Sequence, residues 1–246
     1  MTKTILVTGA SRGIGRATAL KAGSLGWNVA VNYVSDAAAA EEVVASISAF
    51  GARTVAVRGD VASETDVDRM FEEATEHLGP LTGVVANAGI VAPASTLADM
   101  TSERLRRMVD VNIMGTLLTA RAAARALTES GKPGSLVIVS SAASRLGSAG
   151  EYVDYAACKG AADTLTIGLS RELGPKGIRV NAVRPAFIET EIHASGGRPD
   201  RAAILGAATP MGRAGQPEEV AEAVAWLISD AASYVTGTFI DLSGGR

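Results

Sequence analysis

The stretch Thr8-Gly9-Ala10-Ser11-Arg12-Gly13-Ile14-Gly15 decides the fold. An apolar run at residues 5–7 precedes it, and a helix-length pattern follows it from residue 13 to 25. Glycine allows a backbone to turn sharply and to approach phosphate oxygens closely. The N-terminus of the next helix offers free N–H groups and a positive dipole end. The spacing is G-x-x-x-G-x-G, and the glycines alone could be turn chemistry. Their place between strand and helix favours a dinucleotide-binding turn.

Outward from this turn, apolar strand-like runs alternate with helical patterns along the whole chain. Continuous apolar runs such as residues 136–139 are typical of parallel strands that are covered on both faces. We therefore predict one Rossmann-type α/β domain over residues 1–246, with a doubly wound parallel sheet of about seven strands flanked by helices. The predicted strands are residues 4–8, 28–32, 53–58, 83–87, 135–140, 179–184 and 239–242. The predicted helices are residues 13–25, 37–50, 64–78, 102–129, 155–173 and 217–228. The irregular stretch 187–215 is predicted to be a mobile lid beside the active site.

Composition narrows the function classes. The chain has 246 residues, of which 47% are hydrophobic and 20% charged, as in ordinary globular proteins. A formal net charge of −3 gives no reason to expect a nucleic-acid partner. One cysteine excludes an internal disulfide, and with only two histidines we expect no metal site. The uncharged stretch 81–98 contains Asn87 and Pro93, so we interpret it as a strand and loop and expect no membrane span. These features predict a cytoplasmic protein.

A second pattern suggests acid–base chemistry. Tyr155 and Lys159 are four residues apart in a predicted helix, so their side chains share one face. Free tyrosine titrates near pH 10, and a neighbouring ammonium group lowers that value by favouring the phenolate. Such a pair on a protein surface is common, but together with the glycine turn it favours a proton donor for carbonyl reduction.

With these motifs the sequence resembles the classical short-chain dehydrogenase/reductase family. The family pattern T-G-x-x-x-G-x-G is met in full at residues 8–15, and Tyr155-x-x-x-Lys159 matches its catalytic pair. The resemblance implies that Tyr155 donates the proton and that Lys159 tunes it. It also implies that Ser141 orients the substrate carbonyl and that Asn112 holds a water linked to Lys159. Ser140 is the alternative to Ser141, and a helix-capping or kinking role is the alternative for Asn112.

The resemblance also implies a set of cofactor contacts. They comprise Gly9, Ser11, Arg12, Gly13, Ile14, Gly15, Asn32, Tyr33, Asp60, Val61, Asn87, Ala88, Gly89, Tyr155, Lys159, Pro185, Ile188 and Thr190. NAD-selective sites place an acid after the second strand to bind the ribose hydroxyl. Here Asn32 and Tyr33 occupy that position, and the Arg12 guanidinium could reach a 2′-phosphate. We therefore expect NADP(H), with NAD(H) as the alternative if Asp36 folds back.

Three functions compete at this point. The preferred one is an NADP-dependent oxidoreductase that transfers hydride between nicotinamide and a small polar ketone, aldehyde or secondary alcohol, with Arg145, Tyr152 and His193 as candidate substrate contacts. A 3-oxoacyl-carrier-protein reductase of fatty-acid synthesis is the second. A non-catalytic dinucleotide-sensing protein is the third, although it would not need the Tyr155 proton donor. The resemblance further implies a homotetramer or homodimer.

Overall fold

The computed structural model describes residues 2–246, and a seven-stranded parallel sheet forms its centre. The strands are β1 (Thr4–Val7), β2 (Asn28–Tyr33), β3 (Thr54–Arg58), β4 (Gly83–Ala86), β5 (Gly134–Val139), β6 (Ile178–Pro185) and β7 (Phe239–Leu242). They lie in the order β3-β2-β1-β4-β5-β6-β7, and every neighbouring pair is parallel. This confirms the predicted doubly wound α/β fold. No strand end differs from its predicted position by more than one residue.

Helices cover both faces of the sheet. They are α1 (Gly13–Ser24), α2 (Ala37–Ala49), α3 (Glu64–Leu78), α4 (Ser102–Val109), α5 (Gly115–Glu129), α6 (Ala143–Leu146), α7 (Val153–Leu173), α8 (Ile192–Ser195), α9 (Arg201–Gly206) and α10 (Pro217–Ile228). Adjacent residues of a strand belong to two different apolar clusters, one on each face of the sheet. Leu6 packs in the cluster that includes residues of α3, α5 and α7, and Val7 packs in the cluster that includes residues of α1, α2 and α10. Burial on both faces explains why the strands are continuously apolar. No helix within residues 2–246 is both long and apolar enough to cross a bilayer.

The predicted helix at residues 102–129 is confirmed with the same bounds, and it contains one irregular turn that the sequence did not predict. A wider π-helical turn at Asp110–Met114 separates α4 from α5. Within it the Asn112 side chain accepts a hydrogen bond from the Ile90 N–H at 3.1 Å and donates to the Ile90 carbonyl at 3.1 Å. A side chain that bridges to a neighbouring loop is a recognised cause of such helix irregularities.

The predicted lid is partly helical, since α8 and α9 lie within it. Its two ends are joined at the base, where the Glu189 N–H donates to the Gly215 carbonyl and the Gly215 N–H donates to the Phe187 carbonyl, both at 2.9 Å. Arg198 and Arg201 form ion pairs with Glu151, which precedes α7. The lid is therefore tied to the segment that leads into the Tyr155 helix. Its mobility stays a prediction.

Candidate active site

A cavity of about 630 Å³ opens at the carboxyl edge of the sheet. It lies where the chain reverses its winding direction, because β1 is flanked by β2 on one side and β4 on the other. Crevices at this switch point are where open α/β sheets bind ligands. The glycine turn, the ends of β4, β5 and β6, the start of α7 and the lid all contribute to its wall.

The glycine turn brings backbone, without side chains, to the cavity. Gly9 has φ +61° and Gly13 has φ +53°, a region that other residues adopt only with strain. A Cβ atom on Gly9 would lie 3.1 Å from the Cα of Ala88, and one on Gly13 would lie 3.4 Å from the Thr190 side chain. These glycines keep a narrow channel open between the turn and its neighbours. Such a cradle fits the pyrophosphate of a dinucleotide.

Gly15 does not line the cavity, so its predicted cofactor contact is not observed. A Cβ atom there would lie 2.2 Å from the Gly9 carbonyl oxygen and 2.5 Å from Nδ2 of Asn87. That Nδ2 donates to the Thr8 carbonyl at 2.8 Å and to the Gly9 carbonyl at 3.1 Å. Gly15 therefore lets α1 pack directly on the turn and supports the phosphate cradle from behind.

Asn32 requires a correction. Its side chain is fully buried and lies beneath the glycine turn, away from the cavity wall. Oδ1 accepts a hydrogen bond from the Gly9 N–H at 3.0 Å, and Nδ2 donates to the Gly59 carbonyl at 3.0 Å. With these bonds made, the amide holds the turn and cannot bind a 2′-phosphate. Its neighbour Tyr33 does line the cavity.

At the adenosine end of the cavity, Arg12 is exposed and lies in the cavity wall with Asp36, Asp60 and Val61. The Asp36 carboxylate accepts a hydrogen bond from the Ala39 N–H at 3.0 Å and so caps α2. Asp60 accepts from the Ala62 N–H at 3.0 Å and has Arg107 at 3.7 Å. One acid is thus engaged by a helix end and the other by a loop, whereas Arg12 is exposed to the cavity.

The remaining predicted cofactor residues surround the other end of the cavity. They are Ser11, Ile14, Asn87, Ala88, Gly89, Pro185, Ile188 and Thr190. A Cβ atom on Gly89 would lie 2.8 Å from Oδ1 of Asn112 and 3.5 Å from Nζ of Lys159. A side chain on residue 89 would therefore clash with the buried Asn112 amide, so glycine allows this loop to pack close to Asn112 and to the predicted catalytic lysine.

The structure brings Tyr155, Ser141 and Lys159 together in this wall. Burial raises the pKa of Tyr155 to about 12, and the Ser141 hydroxyl opposes that rise. Burial lowers the pKa of Lys159 to about 8. Its Nζ lies 5.5 Å from the centre of the Tyr155 ring and donates to the Val139 carbonyl at 2.8 Å. The expected lowering of the tyrosine pKa by the lysine is not found, because burial dominates and the groups that oppose it are Ser141 and Arg201.

The two serines at the end of β5 have different surroundings. Ser141 Oγ accepts from the Ala143 N–H at 3.1 Å and contacts the Pro185 carbonyl at 3.4 Å, next to Tyr155. Ser140 Oγ instead donates to Oδ1 of Asp163 at 2.7 Å and thereby links β5 to α7. This geometry favours Ser141 as the group that meets a substrate carbonyl.

Asn112 is fully buried outside the cavity wall, and its side-chain amide is engaged with Ile90 and Met108. The observation fits the helix-kinking alternative. A role in holding water stays a prediction.

Of the three predicted substrate residues, two line the cavity and one does not. Tyr152 and His193 line the cavity, and His193 Nε2 lies 2.9 Å from the Ile188 carbonyl. Arg145 is outside it and forms an ion pair with Asp241 at 2.5 Å, so its predicted substrate contact is corrected. The side chain points from α6 towards β7 because a carboxylate is available there.

Sequence reasoning missed several cavity residues, among them Phe187, Glu151 and Arg246. Arg201, which the sequence indicates only as one of several polar residues of the lid, lines the cavity too. The only sequence signal for them is the polarity of the lid and of the segment before α7. Nothing in the sequence order indicates that the C-terminal residue reaches the site.

Comparisons with known proteins match this geometry. The family model described as Enoyl-(Acyl carrier protein) reductase matches residues 9–246. Uncharacterized oxidoreductase YgfF of Escherichia coli (strain K12) is 52% identical over 243 residues, covering 98% of this chain and 98% of that protein. L-rhamnose 1-dehydrogenase (NAD(P)(+)) of Sphingomonas sp. (strain SKA58) is 39% identical over 245 residues, covering 99% and 95%. The crystal structure of a short chain dehydrogenase from Burkholderia cenocepacia J2315 in complex with NADP aligns with a TM-score of 0.91 at 33% identity, covering 99% of this chain and 97% of that one.

Proposed function

The chain belongs to the classical short-chain dehydrogenase/reductase family of oxidoreductases, which act on CH–OH and C=O groups, and from this premise we propose its reaction. It is an NADP-dependent enzyme that transfers hydride between nicotinamide and a small polar ketone, aldehyde or secondary alcohol. The observation that carries the proposal is that Ser141, Tyr155 and Lys159 line the same cavity as the glycine turn.

The roles of the side chains follow from their surroundings. The dinucleotide, when bound, supplies or accepts the hydride. Tyr155 holds its proton at neutral pH because its pKa is about 12, and it donates that proton to the carbonyl oxygen of the substrate. Ser141 orients the same oxygen through a hydrogen bond. Lys159, with a pKa of about 8, stays mostly protonated at neutral pH and favours the phenolate that forms.

NADP(H) is the proposed cofactor because Arg12 is exposed and shares the cavity wall with Tyr33, the last residue of β2. A guanidinium binds phosphate oxygens strongly through charge-assisted hydrogen bonds. The Asp36 carboxylate accepts from the Ala39 N–H and is held at the start of α2. The NADP complex of the Burkholderia protein supports the choice by analogy. NAD(H) remains the alternative.

Substitution of Tyr155 by phenylalanine tests the mechanism. Tyr155→Phe should lower the kcat of NADPH-dependent carbonyl reduction by about 10²- to 10⁴-fold, the usual contribution of a positioned proton donor. The Kd for NADPH should stay within about twofold, because the ring remains. Tyr234→Phe, at a fully exposed position, is the matched control and should keep full activity. Full turnover by Tyr155→Phe would refute the assigned role.

A 3-oxoacyl-carrier-protein reductase is the second candidate, since the matching family model is named for a carrier-protein substrate. Reduction of an acyl-carrier thioester at least tenfold faster than of the free 3-oxo compound would favour it. Turnover that depends on Tyr155 would argue against a dinucleotide sensor, because a sensor needs no proton donor.

A homotetramer or homodimer is also proposed. Leu117 on α5 and Ile167 on α7 are each 40% exposed, which supports a contact between copies of the chain. Sedimentation velocity tests this, and a single monomer boundary at micromolar concentration would contradict it. The cytoplasmic location expected from the cysteine count stays a prediction.

A further inference from the structure

Two arginines at the substrate end of the cavity take no part in the reaction described above. Arg201 begins α9 in the lid, and Arg246 is the C-terminal residue. Both line the cavity, and their guanidinium carbons lie 5.4 Å and 4.9 Å from the centre of the Phe187 ring. Arg201 also lies 5.1 Å from the centre of the Tyr152 ring. Aromatic rings thus hold both cations in position at the cavity wall.

The hydrogen bonds of Arg201 are incomplete. Its Nη2 donates to Oε2 of Glu151 at 2.6 Å, but within residues 2–246 the buried Nε has no acceptor. The side chain is only 13% exposed. A guanidinium carries five N–H donors, and leaving such donors unpaired in a largely buried place is costly. An oxygen acceptor in the cavity, which Arg201 lines, would pair with the remaining terminal N–H donors of the guanidinium.

Two guanidinium groups, those of Arg201 and Arg246, lie at this end of the cavity wall together with the Glu151 carboxylate. Glu151 is the one carboxylate in contact with Arg201, and it is shared with Arg198, whose side chain is 45% exposed outside the cavity. His193 contributes no charge here, because burial lowers its pKa and keeps the imidazole neutral at pH 7. The Arg201 charge is near enough to the reaction centre to lower the pKa of Tyr155 slightly. Glu191 also lines the cavity, but it lies beside Gly13 at the glycine turn.

We propose that Arg201, assisted by Arg246, binds a carboxylate of the substrate. The enzyme would then act on small oxo acids and hydroxy acids in preference to neutral sugars or alkyl ketones. This inference rests on the proposed oxidoreductase function. In the reduction, the ketone carbon accepts the hydride from NADPH and the ketone oxygen accepts the proton from Tyr155, while the carboxylate stays unchanged and positions the molecule.

Matched pairs of substrates test the inference, namely acetoacetate with acetoacetamide, and 4-oxopentanoate with 4-oxopentanamide. Each pair differs in charge and little in shape. For the wild-type enzyme we expect kcat/KM to favour a carboxylate over its amide by about tenfold or more, as for a charge-assisted hydrogen bond. Arg201→Gln should abolish this preference, chiefly through KM, and Arg201→Lys should restore part of it.

Arg198→Gln is the matched control, because it removes the other cation on the same Glu151 carboxylate without altering the cavity wall. It should keep the preference. A second measurement is a calorimetric titration of each carboxylate into the protein saturated with NADP⁺, in which Arg201→Gln should weaken binding by a similar factor.

The possible results distinguish failure of the proposed carboxylate site from failure of the proposed oxidoreductase mechanism. Equal kcat/KM for acid and amide, equal effects of the two glutamine variants, or no binding of any carboxylate to a protein that binds NADPH would overturn the carboxylate site alone. Failure to bind NADPH, or a Tyr155→Phe variant with full turnover, would overturn the oxidoreductase mechanism itself.

Discussion

Replacing Gly15 by alanine is a direct test of how the glycine turn is supported. The added Cβ atom would lie 2.2 Å from the Gly9 carbonyl oxygen and 2.5 Å from Nδ2 of Asn87. Contacts below about 3 Å do not persist, so this carbonyl must move by roughly 0.8 Å or α1 must shift as a whole. Either movement strains the hydrogen bond between Asn87 and Gly9, which is 3.1 Å long.

The expected change in the free energy of unfolding is the sum of two destabilising effects and one stabilising effect. Overpacking of this kind costs about 1–3 kcal/mol, and a weakened buried hydrogen bond costs about 1 kcal/mol more. Alanine is better than glycine in a helix by about 1 kcal/mol, which offsets part of the loss. We therefore expect Gly15→Ala to lower the free energy of unfolding by about 1–3 kcal/mol. Because the moved carbonyl belongs to the phosphate cradle, the Kd for NADPH should rise at least tenfold.

Gly168→Ala is the control, since Gly168 lies within α7 and a Cβ atom there meets nothing within 4 Å. The same substitution should stabilise the protein by about 0.5–1 kcal/mol and leave the NADPH affinity unchanged. Urea denaturation measures the stability, and fluorescence titration measures the affinity. A Gly15→Ala protein as stable as the wild type, with unchanged NADPH affinity, would refute the packing role.

Two further predictions concern charge. Arg12→Ala should raise the Kd for NADPH about tenfold or more and leave that for NADH nearly unchanged, whereas Arg16→Ala, exposed on α1 outside the cavity wall, should change neither in paired fluorescence titrations. An equal loss for both cofactors would contradict the 2′-phosphate assignment. Lys159 has a pKa of about 8 when folded and 10.5 as a free side chain, so the unfolded chain binds more protons between these values. The wild-type free energy of unfolding should therefore rise relative to Lys159→Met by about 1–2 kcal/mol from pH 8 to pH 10, measured by urea denaturation without cofactor. A constant difference over that range would mean that Lys159 is not desolvated.

The fold could be predicted because each strand is a short continuous run of apolar residues in the sequence. Runs such as Ile5-Leu6-Val7 feed two apolar clusters on opposite faces of the sheet, and that burial leaves no polar alternation in the sequence. The helical pattern of residues 102–129 predicts the bounds of that helix correctly, because the pattern is helical throughout. It does not predict the π-turn at Asp110–Met114, which coincides with the bridge from Asn112 to Ile90, a residue 22 positions away. Local periodicity does not contain such a contact.

In the predicted site, too, some residues can be located from local spacing and others cannot. Tyr155 and Lys159 are one helical turn apart, and the glycine turn is contiguous, so spacing alone locates both. Asn32 was assigned to a phosphate because it ends a strand beside the turn. Its amide is instead buried beneath that turn, a direction that depends on how β1, β2 and β3 pack together.

The amino-acid sequence by itself determined the parallel sheet, the dinucleotide cradle and the proton-donating pair, because these depend on residues that are neighbours along the chain or repeat with the period of a helix or strand. Only the tertiary structure decided which arginines line the cavity. Arg145 lies close to Ser141 in sequence but is paired with Asp241, whereas Arg201 and Arg246 come from the lid and the chain end and converge on Phe187. The substrate end is built from segments far apart in sequence, and their meeting depends on long-range packing that local patterns do not encode.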